Sequence, residues 1–153
     1  MSPSTKTIVP ARDGGSLVRV LFLCVGNACR SQMAEGFARA YGSDVLVPAS
    51  AGLMPALAVA PDTIRAMDEK DIDIRSHFPK SWRHVGLARF DLVVNMSGAT
   101  LAQAAALPPV REWSVPDPVA LKYKDHCRIR DGIEQLVIQL VLELRRGAKT
   151  HGA

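Results

Sequence analysis

The segment 18–41 constrains the fold of this chain more than any other part of the sequence. It opens with Val18–Leu23, an apolar and β-branched run with the length of a buried strand. The loop Cys24–Ser31 follows. Beyond it, apolar side chains recur every four residues at Met33, Phe37 and Tyr41, and polar ones lie on the other side at Gln32, Glu35 and Arg39. This period predicts an amphipathic helix, so a buried strand leads through a short loop to a helix N-terminus.

The loop has the composition of an anion site that also carries a nucleophile. The first backbone amides of a helix lack intrahelical partners and carry partial positive charge, so they attract an anion. Gly26 allows the loop to wind tightly with its amides turned inward. Arg30 can bind a tetrahedral oxyanion through two parallel hydrogen bonds, and Cys24 is placed to act as a thiolate nucleophile. The predicted substrate-binding residues are Val25, Gly26, Asn27, Ala28, Cys29, Arg30 and Ser31.

The spacing of Cys24 and Arg30, with five residues between them and Ser31 after the arginine, is the C-x5-R spacing of cysteine-dependent phosphatases. The string Cys-Val-Gly-Asn-Ala-Cys-Arg-Ser-Gln-Met-Ala-Glu, directly after the first strand, resembles the low-molecular-weight protein tyrosine phosphatase family and the arsenate reductases built on the same fold. The resemblance extends from about Leu17 to Gly147. It implies a phosphotyrosine phosphatase I-like fold, with Cys24 as nucleophile and Arg30 as the oxyanion ligand.

A third catalytic candidate is Asp117, which stands between Pro116 and Pro118 after a predicted strand. The two prolines stiffen the loop at a sheet end, where ligands bind. A protonated carboxyl group there can protonate the leaving oxygen of a phosphate ester. The resembling family has an Asp-Pro at the equivalent place and uses the aspartate as general acid. The alternative is an ordinary turn, since Asp-Pro is a common turn pair.

Two further residues are predicted to support the loop from outside. Ser50 directly follows a predicted strand over Val45–Ala49, and we expect it to bond the loop backbone or Asn27. The segment Ser76–Lys80 resembles a Ser-His-x-x-Arg element of the phosphatases, in which the histidine braces the loop, and His77 is its counterpart here. A turn serine and a partly exposed histidine are the alternatives.

Alternating strands and helices predict an α/β fold with a single domain over residues 17–147. Its core is a doubly wound, four-stranded parallel sheet with helices on both faces. Beyond the first two strands, the pattern predicts strands over 90–96 and 110–115, and helices from Pro61, over 99–107 and over 125–146. Gly147 is expected to end the last helix. Residues 1–16 are predicted to be a flexible leader and residues 148–153 a frayed tail.

Composition limits the partners of the chain. Of 153 residues, 48% are apolar, the net charge is +4 and the pI is about 9.2. This suits an anionic substrate but is too mild for nucleic acid, and no apolar run reaches the length of a membrane span. Three cysteines do not form a disulfide framework, so we expect a cytoplasmic protein with reduced thiols. Adjacent His126 and Cys127 cannot easily join Cys24 and Cys29 on one ion, so we predict no metal and no cofactor.

Two enzymatic functions follow from the resemblance. The sequence favours a phosphatase that hydrolyses phosphotyrosine or aryl phosphate monoesters, on a phosphoprotein or a small ester, through a cysteinyl-phosphate on Cys24. The alternative is an arsenate reductase with the same nucleophile. Thioredoxin-coupled relatives place two further cysteines where this chain has Met96 and Gln103. The alternative therefore needs an external thiol reductant, such as glutathione, mycothiol or thioredoxin.

Cys29 bears on that alternative because it lies in the same loop as Cys24. A reversible disulfide between the two thiols would protect Cys24 from over-oxidation or take part in catalysis. The simpler interpretation of Cys29 is a small residue that fills space. A third function, from another class, is a non-catalytic oxyanion-binding module, which needs the loop and Arg30 but neither Cys24 nor Asp117.

Overall fold

A parallel sheet of four strands lies at the centre of the protein. The computed structural model describes residues 2–3, 16–101 and 108–151. The parallel strands are β2 (Val18–Cys24), β3 (Leu46–Gly52), β4 (Leu92–Asn95) and β5 (Val110–Ser114), and a two-residue strand, β1 (Ser2–Pro3), pairs antiparallel with β5. Their order across the sheet is β1-β5-β4-β2-β3. The predicted four-stranded parallel sheet is confirmed, with β1 as an addition at its edge.

Helices cover both faces of this sheet, as predicted. They are α1 (Arg30–Gly42), α2 (Pro61–Asp68), α3 (Trp82–Val85) and α4 (Tyr123–His151), with a 3-10 turn over Leu87–Arg89. Alternate side chains of β2 pack on opposite faces of the sheet. Val20 and Phe22 join the core beneath α1 and α4, whereas Leu21 and Leu23 join a smaller core with Leu87. Every one of these β2 side chains is fully buried, which is why the strand is apolar without alternation from Val20 onward.

The topology brings the carboxyl ends of three strands together at one edge. β2 pairs in parallel with β3 on one side and with β4 on the other, so the chain reverses its winding direction at β2. Cys24, the last residue of β2, lies opposite Gly52 at the end of β3. In open α/β sheets ligands bind at such a switch point. The segment from Cys24 to the start of α1 occupies this position.

The predictions for the helices differ from the structure in two places. α4 continues through Gly147 to His151, so the expectation that Gly147 ends the helix is wrong. A Cβ at Gly147 would meet no neighbour, and the glycine simply occupies an open helical position. In the predicted helix over 99–107, residues 99–101 are not helical and residues 102–107 lie outside the described part of the chain. Most of the predicted leader over 1–16 also lies outside it. Within the described residues, no helix combines the length and hydropathy of a membrane span.

Candidate active site

The loop between β2 and α1 is held in shape by its own carbonyl groups. The carbonyls of Cys24, Val25, Gly26 and Ala28 accept backbone hydrogen bonds of 2.9–3.1 Å from the segment 53–60. Because a peptide C=O and the following N–H point in opposite directions, the amides of this loop face away from that segment. The first turn of α1 adds amides without intrahelical partners, since its first helical bond is from Met33 N to Cys29 O. The loop is therefore a nest of backbone donors.

Asn27 is the residue that gives this loop its curvature. Its φ angle is 52°, in the left-handed region, whereas Gly26 has no positive φ. The left-handed conformation therefore falls on Asn27 and not on Gly26, and asparagine tolerates it. The fully buried Asn27 side chain donates from Nδ2 to Ser31 Oγ at 2.7 Å and accepts from the Lys80 amide at 3.0 Å. Asn27 thus joins the loop to α1 and to the segment after α2.

Cys24 lies at the base of the nest with 2% of its surface exposed. Its Sγ is 2.8 Å from Ser31 Oγ. Ser31 Oγ already accepts the Asn27 amide, so its own hydrogen is free to be donated to the sulfur. The three side chains form a chain of hydrogen bonds that ends on the nucleophile candidate.

Arg30 is fixed between the ends of two strands. Its Nη1 donates to the Met96 carbonyl at 2.6 Å and to the Val115 carbonyl at 3.2 Å, and its side chain is almost wholly buried. Its Nη2 lies 3.5 Å from Asp117 Oδ2. One edge of the guanidinium is therefore an anchor, and the other faces the predicted general acid. The charge of Arg30 is held at the site without the mobility of a surface side chain.

Asp117 is half-exposed beside this arginine. Its Oδ1 accepts the Val119 amide at 3.0 Å, which closes a tight turn and fixes the carboxyl group, while Oδ2 faces Arg30. Cys24, Arg30 and Asp117, which are up to 93 positions apart in the sequence, come together at one sheet edge. The structure thus places the three predicted catalytic side chains at the same edge of the sheet, with Asp117 beside Arg30.

A buried polar network lies behind the loop, on the side of α1 that the sequence assigned to polar residues. Gln32 Nε2 donates to the Asn27 carbonyl at 3.0 Å, and Gln32 Oε1 is 2.9 Å from His77 Nδ1. His77 thus supports the loop through Gln32. Ser50 Oγ donates to Glu35 Oε1 at 2.6 Å, so the expectation that Ser50 bonds the loop or Asn27 is wrong. Glu35 outcompetes the loop as partner because it lies buried directly over Ser50.

The charge of Glu35 is stabilised within this network. Burial acts to raise its pKa, but hydrogen bonds from Ser50 and Arg39 and the nearby His77 outweigh that effect and lower it. Burial lowers the pKa of His77 itself, and the Glu35 charge opposes this only in part. Sequence reasoning missed the supporting role of Gln32 and Glu35, since it described them only as the polar side of an amphipathic helix. A helix that follows a ligand loop at a sheet edge is packed on more than one side. The position of α1 after such a loop could therefore have predicted that its polar residues are buried.

Cys29 and Cys127 occupy very different positions. Cys29 is buried, and burial raises the pKa of its thiol, as do the nearby charges of Cys24 and Asp117. Cys127 lies on a more exposed part of α4, 3.6 Å from Glu69. All three cysteines are free thiols. Within the described ranges, no group of three or more histidine, cysteine or acidic side chains could hold a metal ion.

Exposed apolar side chains surround the loop. Met54 and Leu57 belong to the segment that binds the loop carbonyls, and Val119 follows Asp117 directly after the proline. Tyr123, at the start of α4, donates its hydroxyl to Glu69 and lies under the Arg65 guanidinium. None of Met54, Leu57 and Val119 is aromatic, so these side chains give no aromatic surface on which a phenol ring would stack.

Comparison with known proteins identifies the family. A sequence model described as low molecular weight phosphotyrosine protein phosphatase matches residues 19–150. The chain belongs to this family. It is 35% identical to arsenate reductase 2 of Staphylococcus saprophyticus over 123 residues, which is 78% of this chain and 93% of the relative. It is also 36% identical over 121 residues to the arsenate reductase of Bacillus cereus, covering 77% and 90% of the two chains.

Solved structures give the same result for the fold. An arsenate reductase in the phosphate binding state superposes with a TM-score of 0.76 at 27% identity, covering 84% of this chain and 99% of that one. A low molecular weight protein tyrosine phosphatase from T. tengcongensis superposes with a TM-score of 0.67 at 25% identity and similar coverage. The protein is therefore an enzyme of this family, and reductases and phosphatases both stand among its relatives.

Proposed function

We propose that this enzyme is an arsenate reductase that uses Cys24 as its nucleophile and a thiol as its reductant. The observation that carries the proposal is the match to relatives named arsenate reductases, which covers nearly their whole length. It agrees with a site whose donor groups suit a tetrahedral oxyanion. The sequence alone favoured the phosphatase. The comparisons support the arsenate reductase better, because the relatives that are 35% and 36% identical to this chain carry the reductase name.

The first step uses the three grouped side chains. Arsenate is a tetrahedral oxyanion with the shape and charge of phosphate, so the amide nest and Arg30 bind its oxygens. The Cys24 thiolate attacks arsenic, a sulfur–arsenic bond forms, and an arsenic–oxygen bond breaks. Asp117, when protonated, gives its proton to a departing hydroxyl group of the hydrogen arsenate, which leaves as water. Arsenic is still in its +5 state in the resulting adduct on Cys24.

The second step needs electrons that one thiol cannot supply. Attack of another thiolate on the Cys24 sulfur forms a disulfide and leaves an electron pair on arsenic, which departs as arsenite. Met96 stands where thioredoxin-coupled relatives place a cysteine, and the position of Gln103 lies outside the described residues. We therefore assign the reducing equivalents to an external thiol. This chemistry belongs in the cytoplasm, where such thiols stay reduced.

A second candidate function is phosphatase activity at the same site. The observation that favours it is Asp117, held between two prolines with Oδ2 facing Arg30, which suits protonation of an ester leaving group. The same Cys24 attack on phosphorus then gives a cysteinyl-phosphate, which water hydrolyses. The exposed aliphatic side chains around the loop favour small phosphate esters over phosphotyrosine. The non-catalytic oxyanion-binding module finds no such support.

The test compares both activities in one preparation. Purified, reduced protein is given arsenate with the thioredoxin system, glutathione or mycothiol, and arsenite is measured. The same protein is given an aryl phosphate near pH 6. We expect sustained arsenite formation with at least one thiol, lost in Cys24→Ser and retained in Cys127→Ser. Robust ester hydrolysis without arsenite formation would instead support the phosphatase. If the protein forms neither arsenite nor the products of ester hydrolysis, both proposals are contradicted.

A further inference from the structure

A pocket of about 380 Å³ lies where β2 and β3 begin, at the far end of the sheet from the nucleophile loop. Its lining comes from these two strands and from the segment that covers them: Arg19, Val47, Pro48, Ala49, His84, Val85, Arg89 and Phe90. Arg19 is the second residue of β2, and Cys24 is the last. At about 3.3 Å per residue, the pocket is about 16 Å from the nucleophile. A molecule held there is therefore not the substrate that Cys24 attacks.

The pocket exists because the cover on this face of the sheet is short. α3 has four residues and the 3-10 turn has three. On β2, the side chains of Leu21 and Leu23 are fully buried beneath this cover, whereas the Arg19 side chain is 50% exposed. On β3, Ala51 is fully buried, whereas Val47 is 47% exposed. The first residues of both strands therefore form an open floor with an apolar centre.

The walls of the pocket carry positive charge. Arg89 and His84 are exposed, and in the part of the chain that the structure describes neither side chain forms an ion pair with an acidic group. Arg19 shares its charge with Asp91, since the Arg19 Nε lies 3.6 Å from Asp91 Oδ2. None of the residues that line the pocket, all of them described, is acidic. The lining thus combines apolar contact surface with an arginine whose charge is not neutralised.

The edge of the sheet at this pocket is unsuited to pairing with a strand of another chain. β3 is the outermost strand on its side of the sheet. Pro48 has no N–H to donate, and its carbonyl accepts Arg39 Nη2 at 3.2 Å. A ladder of backbone hydrogen bonds would therefore be interrupted beside the pocket. The volume of the pocket instead falls in the range of small-molecule sites.

We propose that this pocket binds a small organic carboxylate with a compact apolar body. Arg89 and Arg19 hold the carboxylate, with His84 as a further hydrogen-bond donor, and Val47 and Ala49 contact the apolar body. A single arginine without an acidic partner matches a monoanionic carboxylate better than a dianionic phosphate. Because the pocket is separate from the nucleophile loop, the inference does not depend on which reaction the nucleophile carries out.

The test is a titration of the full-length, ¹⁵N-labelled protein, followed by the NMR signals of its backbone amides. Two probes are compared, 1-naphthaleneacetate and its neutral analogue 1-naphthaleneacetamide, which share a ring system and differ in charge. We expect saturable shifts for the carboxylate at the amides of Val47, Ala49, Val85 and Phe90. The neutral probe should bind about 5-fold more weakly, which is the upper range for an exposed ion pair.

Variants separate the role of charge from that of the apolar floor. Arg89→Gln should weaken the carboxylate by about 5-fold and leave the neutral probe unchanged. Arg128→Gln, at an exposed arginine of α4, is the matched control and should change neither. Val47→Trp, at an exposed strand position, should fill the floor and weaken both probes. The amide spectrum of each variant also establishes that it is folded.

Four outcomes would overturn the inference. Shifts concentrated at the amides of residues 25–31 would place the probe in the nucleophile loop. Equal affinity for the two probes, or an unchanged carboxylate affinity in Arg89→Gln, would show that the positive charge does not select the ligand. Shifts that do not saturate at the solubility limit of the carboxylate would show that the pocket is not a site for this class of molecule.

Discussion

At the scale of single residues, the hydroxyl of Ser31 is the group most directly linked to the nucleophile. It lies 2.8 Å from Cys24 Sγ and is oriented by Asn27. A hydrogen bond to a charged group contributes about 1.5–3 kcal/mol, so Ser31→Ala should lower the rate of Cys24 alkylation at pH 7 by about 10- to 100-fold. Alkylation by iodoacetamide, followed by mass spectrometry, measures this rate. The exposed Ser43→Ala is the control, and an unchanged rate in Ser31→Ala would contradict the assigned hydrogen bond.

Asp117 supports a second prediction at this scale. If its carboxyl group protonates the leaving oxygen, Asp117→Asn should slow hydrolysis of alkyl phosphates by about 100-fold or more. Esters with good leaving groups need less protonation and should lose less. The measurement is kcat over a series of esters with different leaving groups, in wild type and variant. An equal loss across the series would assign Asp117 to binding, through its contact with Arg30.

The sequence predicted Cys24, Arg30 and Asp117 because their signal is local. Each stands in a short motif beside a strand end, and parallel strand ends meet at one edge. The sequence did not predict the contacts of the supporting residues, because their partners are remote in the sequence. Ser50 bonds Glu35 rather than the loop, and the link between Thr63 and His126 spans 63 positions. No local pattern encodes which distant polar side chains will share a buried space.

At the scale of elements, the close approach of β3 to the nucleophile loop carries the third prediction. A Cβ at Gly52 would lie 2.7 Å from the Val25 carbonyl oxygen and 3.0 Å from the Asn27 amide nitrogen. Both are backbone atoms that cannot move aside singly. Gly52→Ala should therefore reduce the free energy of unfolding by about 1–3 kcal/mol and weaken phosphate binding by separating β3 from the loop. Urea unfolding and phosphate titration measure the two effects.

Gly147→Ala is the matched control for that substitution. A Cβ there meets nothing within 4 Å, and the residue is inside α4. The change should stabilise the protein by up to about 1 kcal/mol, because alanine has the higher helix propensity. A Gly52→Ala protein as stable as the wild type, with normal phosphate affinity, would show that the loop and β3 move independently.

The elements themselves followed from the sequence to different degrees. Strand β2 and helix α1 were predicted because the hydrophobic period changes sharply between them. The end of α4 was not predicted correctly. Glycine ends a helix where the chain turns into the left-handed region, and the backbone at Gly147 stays helical. The pairing of β1 with β5 joins residues more than 100 positions apart, and a two-residue strand has no period to detect.

At the scale of the whole molecule, two buried groups, Glu35 and His126, and the partly buried His77 give stability the same dependence on pH. The pKa values of His77 and His126 are lowered by burial, and that of Glu35 is lowered by its hydrogen bonds and by His77 against the effect of its own burial. In each case the unfolded chain binds protons more readily than the folded protein. The free energy of unfolding must then fall as the pH falls.

The two kinds of group act in separate pH ranges. The histidines begin to destabilise the fold below the ordinary histidine pKa of about 6.5, and Glu35 begins below the ordinary glutamate pKa of about 4.3. We therefore expect urea midpoints to be constant between about pH 7 and 8, to fall between about pH 6.5 and 5, and to fall further in stronger acid. His126→Gln should flatten the first range and Glu35→Gln the second, while His84→Gln, at an exposed position, should change neither. A protein whose stability rises as the pH falls from 7 to 5 would require charged, not neutral, histidines in its core.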